Sequence, residues 1–190
     1  MFKLTKRSVE GLEDGSETIY AASAILLLIF TGCRLSEILA LKWDYVTTHH
    51  LELPDSKTGR RRIPLPFEAH QILMDLPRKP DSPFVIPSEC GLKPLNDLQK
   101  TWQRVRKLAG IEDVRIHDLR HTYASVAMKD GIDPFTLKEI LGHKNLSTTL
   151  RYAHLADDAV QRAAGSVASR LAGRIRKGNP DRIVRLVHDG

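Results

Sequence analysis

One stretch of this chain breaks the helical spacing that its apolar residues keep almost everywhere else. Between residues 48 and 65, Leu51-Glu52-Leu53 and then Arg62-Ile63-Pro64-Leu65 alternate in the manner of strands. Lys57-Thr58-Gly59 lies between them and supplies a turn. A lone antiparallel hairpin among helical patterns restricts the architecture sharply. The expectation is a single α+β domain, mainly helical, built around one small antiparallel sheet whose hairpin is basic.

The helical patterns on either side are separated by clear stops. Residues 1–16 are polar and read as an entry segment. From Glu17 to Thr31 the positions Ile19, Ala22, Ile25, Leu26 and Ile29 follow helical spacing. Gly32 interrupts them, and Leu35, Ile38, Leu39 and Leu41 start a second pattern. Phe67 to Leu76 reads as a helix, Pro77, Pro80 and Pro83 then force an irregular connection, and Phe84-Val85-Ile86 reads as a third short strand. Leu98, Trp102, Val105 and Leu108 mark an amphipathic helix whose other face carries Lys100, Arg104, Arg106 and Lys107. A helix starting near His117 shows Leu119, Tyr123, Val126 and Ala127 on its apolar face.

Gly131-Ile132-Asp133-Pro134 ends that helix and opens the next, with Asp133 as N-cap and Pro134 at the first helical position. Gly142 follows a leucine-rich turn and is expected to stop that helix. Beyond residue 152, Val160, Ala163, Ala164, Val167 and Leu171 define another amphipathic helix. Arg174 to Pro180 reads as a basic linker, and Ile183 to Val187 as a final strand. The expected division is a domain over 1–175 and a basic tail over 176–190.

Composition narrows the function classes. Lysine and arginine number 29 against 23 acids, a formal charge of +6 with a pI near 9.4, which permits a polyanionic partner. Only Cys33 and Cys90 are present, so no disulfide framework is implied and a reducing compartment fits. The longest apolar run, Ala21 to Phe30, is interrupted by Ser23 and too short to span a bilayer, and no cleavage site marks a signal peptide. A cytoplasmic protein with no membrane partner is expected.

Several groups of residues carry chemistry. Thr31-Gly32-Cys33-Arg34-Leu35-Ser36-Glu37 sets Arg34 at a helix start, where a guanidinium joins free backbone amides to suit a phosphate oxygen. Glu37, three residues on, is placed to brace it. Ile116-His117-Asp118-Leu119-Arg120-His121 puts His117 and Arg120 on one helical face, able to address one phosphate. His117 and His121 also stand at i, i+4, but no glutamate lies between them in a metalloprotease pattern and no cysteine pair completes a ligand set, so no metal is expected. Lys57 sits at the hairpin tip, with Arg60, Arg61 and Arg62 as alternative cations. Finally, Leu141-Gly142-His143-Lys144-Asn145-Leu146-Ser147-Thr148-Thr149-Leu150-Arg151-Tyr152 places a tyrosine nine residues after a histidine.

Each fragment is weak alone; their order and spacing together resemble the tyrosine recombinases of the phage integrase family. The resemblance covers about residues 17–172. It implies a tyrosine recombinase catalytic-domain fold in which Arg34, Lys57, His117, Arg120, His143 and Tyr152 are catalytic. Tyr152 is then the nucleophile that cleaves double-stranded DNA, leaving a 3′-phosphotyrosyl link and a free 5′ hydroxyl, so that strands are rejoined without ATP, metal or any cofactor. A phenol of pKa near 10 is only about 0.1% ionised at pH 7, so Tyr152 needs a general base, for which His117 is expected, while Lys57 is expected to protonate the leaving oxygen. Arg34, Arg120 and His143 are expected to neutralise the non-bridging oxygens.

Further DNA contacts are expected from Arg60, Arg61, Arg62, Lys100, Arg104, Arg106 and Lys107. The family implies self-association into a dimer or tetramer on DNA and no small-molecule substrate. The family's helical DNA-clamping domain has no counterpart before Met1, and the tail after Arg174 lies outside the shared pattern. Relaxation of supercoils in the manner of a type IB topoisomerase, and a catalytically silent DNA-binding module of the same fold, are the alternatives. A metal-dependent nuclease lacks an acidic cluster in the sequence.

Overall fold

The computed structural model describes residues 19–56, 59–155 and 157–177. Helix α1 (Ile19–Thr31) occupies the centre and packs against α2 (Leu35–Leu39), α3 (Phe67–Asp75), α4 (Gln99–Leu108) and α5 (Asp118–Lys129). Its burial corrects the sequence expectation. Ala21, Ala24, Leu27 and Leu28 are buried along with Ile25, whereas Ile19 is exposed and Ala22, Leu26 and Ile29 only partly covered. A helix that is apolar nearly all round and is packed on several sides has no single core stripe to find by periodicity.

The hairpin is present as expected. Strands β1 (His50–Ser56) and β2 (Gly59–Pro64) pair antiparallel, with Leu51 opposite Ile63, Glu52 opposite Arg62 and Leu53 opposite Arg61. The register shifts between Leu53 and Ser56. Leu51, Leu53, Arg61 and Ile63 share the inward face, while Glu52 and Arg62 form an ion pair at 2.7 Å on the outer one. The third strand at Phe84 is not formed: Phe84 makes only an isolated bridge to Lys42, because the proline-rich connection before it cannot sustain a ladder.

Helix α4 holds the base of the core through Trp102, fully buried with its indole N–H donating to the Val114 carbonyl at 2.9 Å. Leu108 and Val126, both expected on apolar faces, are 63% and 43% exposed. Leu108 is the last residue of its helix, and Val126 looks outward from α5 over an apolar cleft lined by Ile29, Leu119 and Tyr123.

Helix α6 (Pro134–Leu141) begins and ends as read from the sequence. The Asp133 carboxylate accepts from the amides of Phe135 and Thr136 at 2.9 and 3.0 Å, and Gly142 terminates the helix at φ 63°. A short helix α7 (Leu146–Leu150) and a 3₁₀ turn (Ala153–Leu155) follow. Helix α8 (Asp157–Lys177) continues through the stretch expected to be a linker from Arg174, and residues 161–175 are exposed along its length. The strand expected at Ile183 to Val187 lies outside the described residues. No helix among the described residues is long and apolar enough to cross a membrane.

Candidate active site

The end of α6 is a hub for three arginines. Arg61 donates to the Ile140 carbonyl, Arg120 to that of Leu141 at 2.5 Å, and Arg34 to that of Gly142 at 3.0 Å. Those carbonyls have no partner within their own helix, and the negative end of the helix dipole adds to their attraction for cations. Arg120 also donates to the Gly32 carbonyl at 2.6 Å, tying the hub to the end of α1. The two glycines make this possible. At Gly32 (φ 61°) a Cβ would lie 2.8 Å from the Tyr123 ring, and at Gly142 it would lie 2.4 Å from Arg61 Nε.

Glu37 is the anion at the centre of this cluster. Its carboxylate accepts from the Arg34 amide and guanidinium at 2.7 Å each, and from Arg61 at 2.8 and 3.0 Å. Burial acts to raise its pKa, but the Arg34 amide and the Arg61 and Arg34 charges outweigh it, so the carboxyl is held below the usual range. Three guanidiniums against one carboxylate leave the cluster strongly positive. Arg120, 5% exposed, responds accordingly: burial first, then the Arg34 and Arg61 charges, bring its pKa down to about 10. It remains protonated at neutral pH.

Arg61 corrects one expectation. It was grouped with Arg60 and Arg62 as a DNA contact, yet its side chain is turned into the core at 9% exposed. The period of two explains this, since Arg61 has the parity of Ile63 and Leu65 while Arg60 and Arg62 point to solvent. The signal was therefore in the sequence. Lys57 lies outside the described residues.

The other expected DNA contacts lie on helix α4. Lys100, Arg104 and Lys107 are exposed, and Arg106 is half-buried with a long 3.5 Å contact to the Val114 carbonyl.

His143 follows Gly142 and is fixed by Thr149, whose buried hydroxyl lies 2.9 Å from its Nδ1. Burial, then the charges of Arg120, Arg34, Arg61 and Arg151, lower its pKa to about 4. It is a neutral imidazole at physiological pH, able to donate one hydrogen bond but carrying no charge of its own. His117 caps α5 and is also held below the ordinary imidazole range, by desolvation, then His121 and Arg120.

Tyr152 emerges from the turn after α7, its ring half-buried against the cluster of Ala124, Ala127, Met128, Leu137 and Leu141. Desolvation raises its pKa, and the Arg151 and Arg120 charges offset only part of this. The charge of Arg120 is thus felt at His117, His143 and Tyr152 alike. The hydroxyl of Tyr152 is hydrogen-bonded to Nδ1 of His121. Sequence reasoning weighed His121 only as a metal ligand and missed this contact, which joins residues 31 positions apart.

Such an arrangement can seat an anionic phosphate on fixed donors and offer it a tyrosine hydroxyl. Comparison with known proteins gives the chain its family. The model of the phage integrase family matches residues 3–159. A tyrosine recombinase XerC from Staphylococcus carnosus is 40% identical over 171 residues, covering 78% of this chain and 54% of that protein. The solved catalytic domain of bacteriophage HP1 integrase superposes with a TM-score of 0.62 at 28% identity, over 85% of this chain and 92% of that one. A XerH site-specific recombinase, solved bound to its difH substrate, shares the fold with a TM-score of 0.64 at 21% identity, over 84% of this chain and 51% of that one. The chain spans about half the length of the curated relatives it matches.

Proposed function

The chain belongs to the phage integrase family, and on that premise we propose that it is the catalytic part of a site-specific tyrosine recombinase that breaks and rejoins double-stranded DNA. The observation that supports this reading is that Arg34 and Arg120, from two distant segments, both bond to carbonyls at the end of α6 directly before His143, while Thr149 bonds both His143 and the amide of Tyr152. Arg34 and Arg120 hold the scissile phosphate and neutralise the charge that builds on its non-bridging oxygens. His143 adds a neutral donor, and binding a phosphate beside it favours its protonation. Glu37 keeps Arg34 in place. Tyr152 attacks phosphorus, and Lys57 protonates the departing 5′ oxygen. The phosphodiester energy is stored in the 3′-phosphotyrosyl link, so rejoining needs neither ATP nor metal.

Arg60 and Arg62 on the outer face of β2, with Lys100, Arg104, Arg106 and Lys107 on α4, supply sequence-independent backbone contacts. The exposed apolar positions Val167, Leu171 and Ile175 of α8 fit a second copy of the chain, consistent with assembly as a dimer or tetramer on DNA in the cytoplasm. The test is covalent capture. A nicked duplex incubated with the protein in EDTA should become attached to it, with peptide mapping placing the link at Tyr152. Attachment at Tyr20, Tyr45 or Tyr123, or a requirement for metal, would overturn the assignment.

A further inference from the structure

We propose that His121 is the residue that holds the Tyr152 hydroxyl and accepts its proton as Tyr152 attacks, a role that rests on the recombinase reading above. His121 follows Arg120 on α5, so while Arg120 turns inward to the carbonyls of Gly32 and Leu141, the next side chain faces the turn that carries Tyr152. Nδ1 of His121 meets the Tyr152 hydroxyl directly, with ring centroids 6.0 Å apart and planes tilted by 43°.

The tyrosine is fixed from its own side as well. Its amide donates to the Thr149 carbonyl at 3.0 Å, and its ring packs on the small cluster beneath α5 and α6. His117 stands one turn earlier on the same face, edge-on to His121 at 5.1 Å and 89°. It is placed to orient the His121 ring, while His121 touches the reacting atom.

The chemistry requires such a group. Desolvation raises the Tyr152 pKa despite the nearby Arg120, so spontaneous ionisation is rarer than for an ordinary phenol. Tyr152 Oη bonds to phosphorus as the bond from phosphorus to the 5′ oxygen breaks. The hydroxyl proton passes to Nδ1 of His121, and the 5′ oxygen takes its proton from Lys57. In rejoining, the 5′ hydroxyl attacks and returns its proton to Lys57, the bond from phosphorus to Oη breaks, and His121 returns the proton to Tyr152. For this the resting His121 must carry its proton on Nε2.

The experiment uses duplexes with a 5′-bridging phosphorothiolate, selected from a randomised pool for adduct formation with the unaltered protein. A thiolate leaves without an acid, so the rate reports on the nucleophile. His121→Asn keeps an acceptor near the Nδ1 position but cannot carry a proton. It should slow adduct formation by about 10²-fold or more and remove the acid limb of the pH–rate profile. Replacing Tyr152 with a fluorinated tyrosine of lower pKa should recover part of that loss. His117→Asn should retain the limb.

An acid limb that persists in His121→Asn, or vanishes in His117→Asn, overturns the proposal, as does a fluorotyrosine that recovers nothing. A second measurement works without DNA: Tyr152→Phe should shift the NMR titration of the His121 ring, and an unchanged titration also overturns the proposal. No adduct from the unaltered protein with any duplex, alongside a shifted titration, would instead sink the recombinase reading and leave the contact standing.

Discussion

Arg120 and Tyr152, proposed above to serve one site, are held in different ways. Arg120 is buried and bonded to two backbone carbonyls at the ends of two helices, and Arg34 and Arg61, which bond to the same end of α6, are both paired to Glu37. Tyr152 is half-buried, rests on a five-residue apolar cluster and hydrogen-bonds to a histidine that is itself partly exposed. Helix α8, which follows it, is exposed over residues 161–175. The arginine hub is therefore held by more fixed partners than the segment that carries Tyr152.

Four sets of measurements would break or sharpen that contrast. The largest effect is expected from Tyr152→Phe, which should reduce covalent attachment to an undetectable level. Since only one hydrogen bond is lost, stability should fall by about 1 kcal/mol at most, as urea denaturation would show. A collapse of the fold would mean that the nucleophile segment is as structural as the hub.

Next comes Arg120→Ala, expected to slow cleavage by about 10²–10³-fold. It should also destabilise the protein by about 1–3 kcal/mol through the abandoned carbonyls. Arg120→Lys keeps the charge but loses the fork and should rescue only part of either quantity. Full rescue of both would show that geometry matters less than charge.

The three consecutive arginines offer an internal control. Arg61→Met leaves Glu37 and the Ile140 carbonyl short of a partner and should cost about 2–4 kcal/mol. Arg60→Ala and Arg62→Ala should change stability by about 0.5 kcal/mol or less and instead weaken DNA binding in low salt. Equal stability losses at all three positions would contradict the inward turn of Arg61.

The last effect is a pH dependence. His143 has a folded pKa near 4, below the ordinary value of 6.5, so the unfolded chain binds the extra proton first as pH falls. Its contribution to stability is complete above about pH 6.5 and declines toward pH 4. Denaturation midpoints over that range should flatten in His143→Gln relative to the unaltered protein, and parallel curves would remove His143 as the cause.

Much of the local structure was legible because it depends on neighbours in the chain. The cap at Asp133, the stop at Gly142 and the hairpin over 48–65 follow from short-range dihedral and hydrogen-bond preferences. Arg61 was readable by strand parity but was obscured by the cationic run around it. The apolar face of α1 was not readable, since a helix packed on several sides presents no stripe. A third strand at Phe84 was over-read from three β-prone residues, because an apolar run shows propensity but not whether a partner strand is within reach.

The sequence by itself determined the order of the helices, the one hairpin and the succession of residues that marks the family. Only the tertiary structure decided which of these side chains meet. Arg34 reaches the Gly142 carbonyl across 108 positions and Arg120 reaches Gly32 across 88. His121 rather than His117 meets the Tyr152 hydroxyl. The physical reason is that spacing along a helix fixes which face a residue occupies, whereas what lies opposite that face is set by how the elements pack.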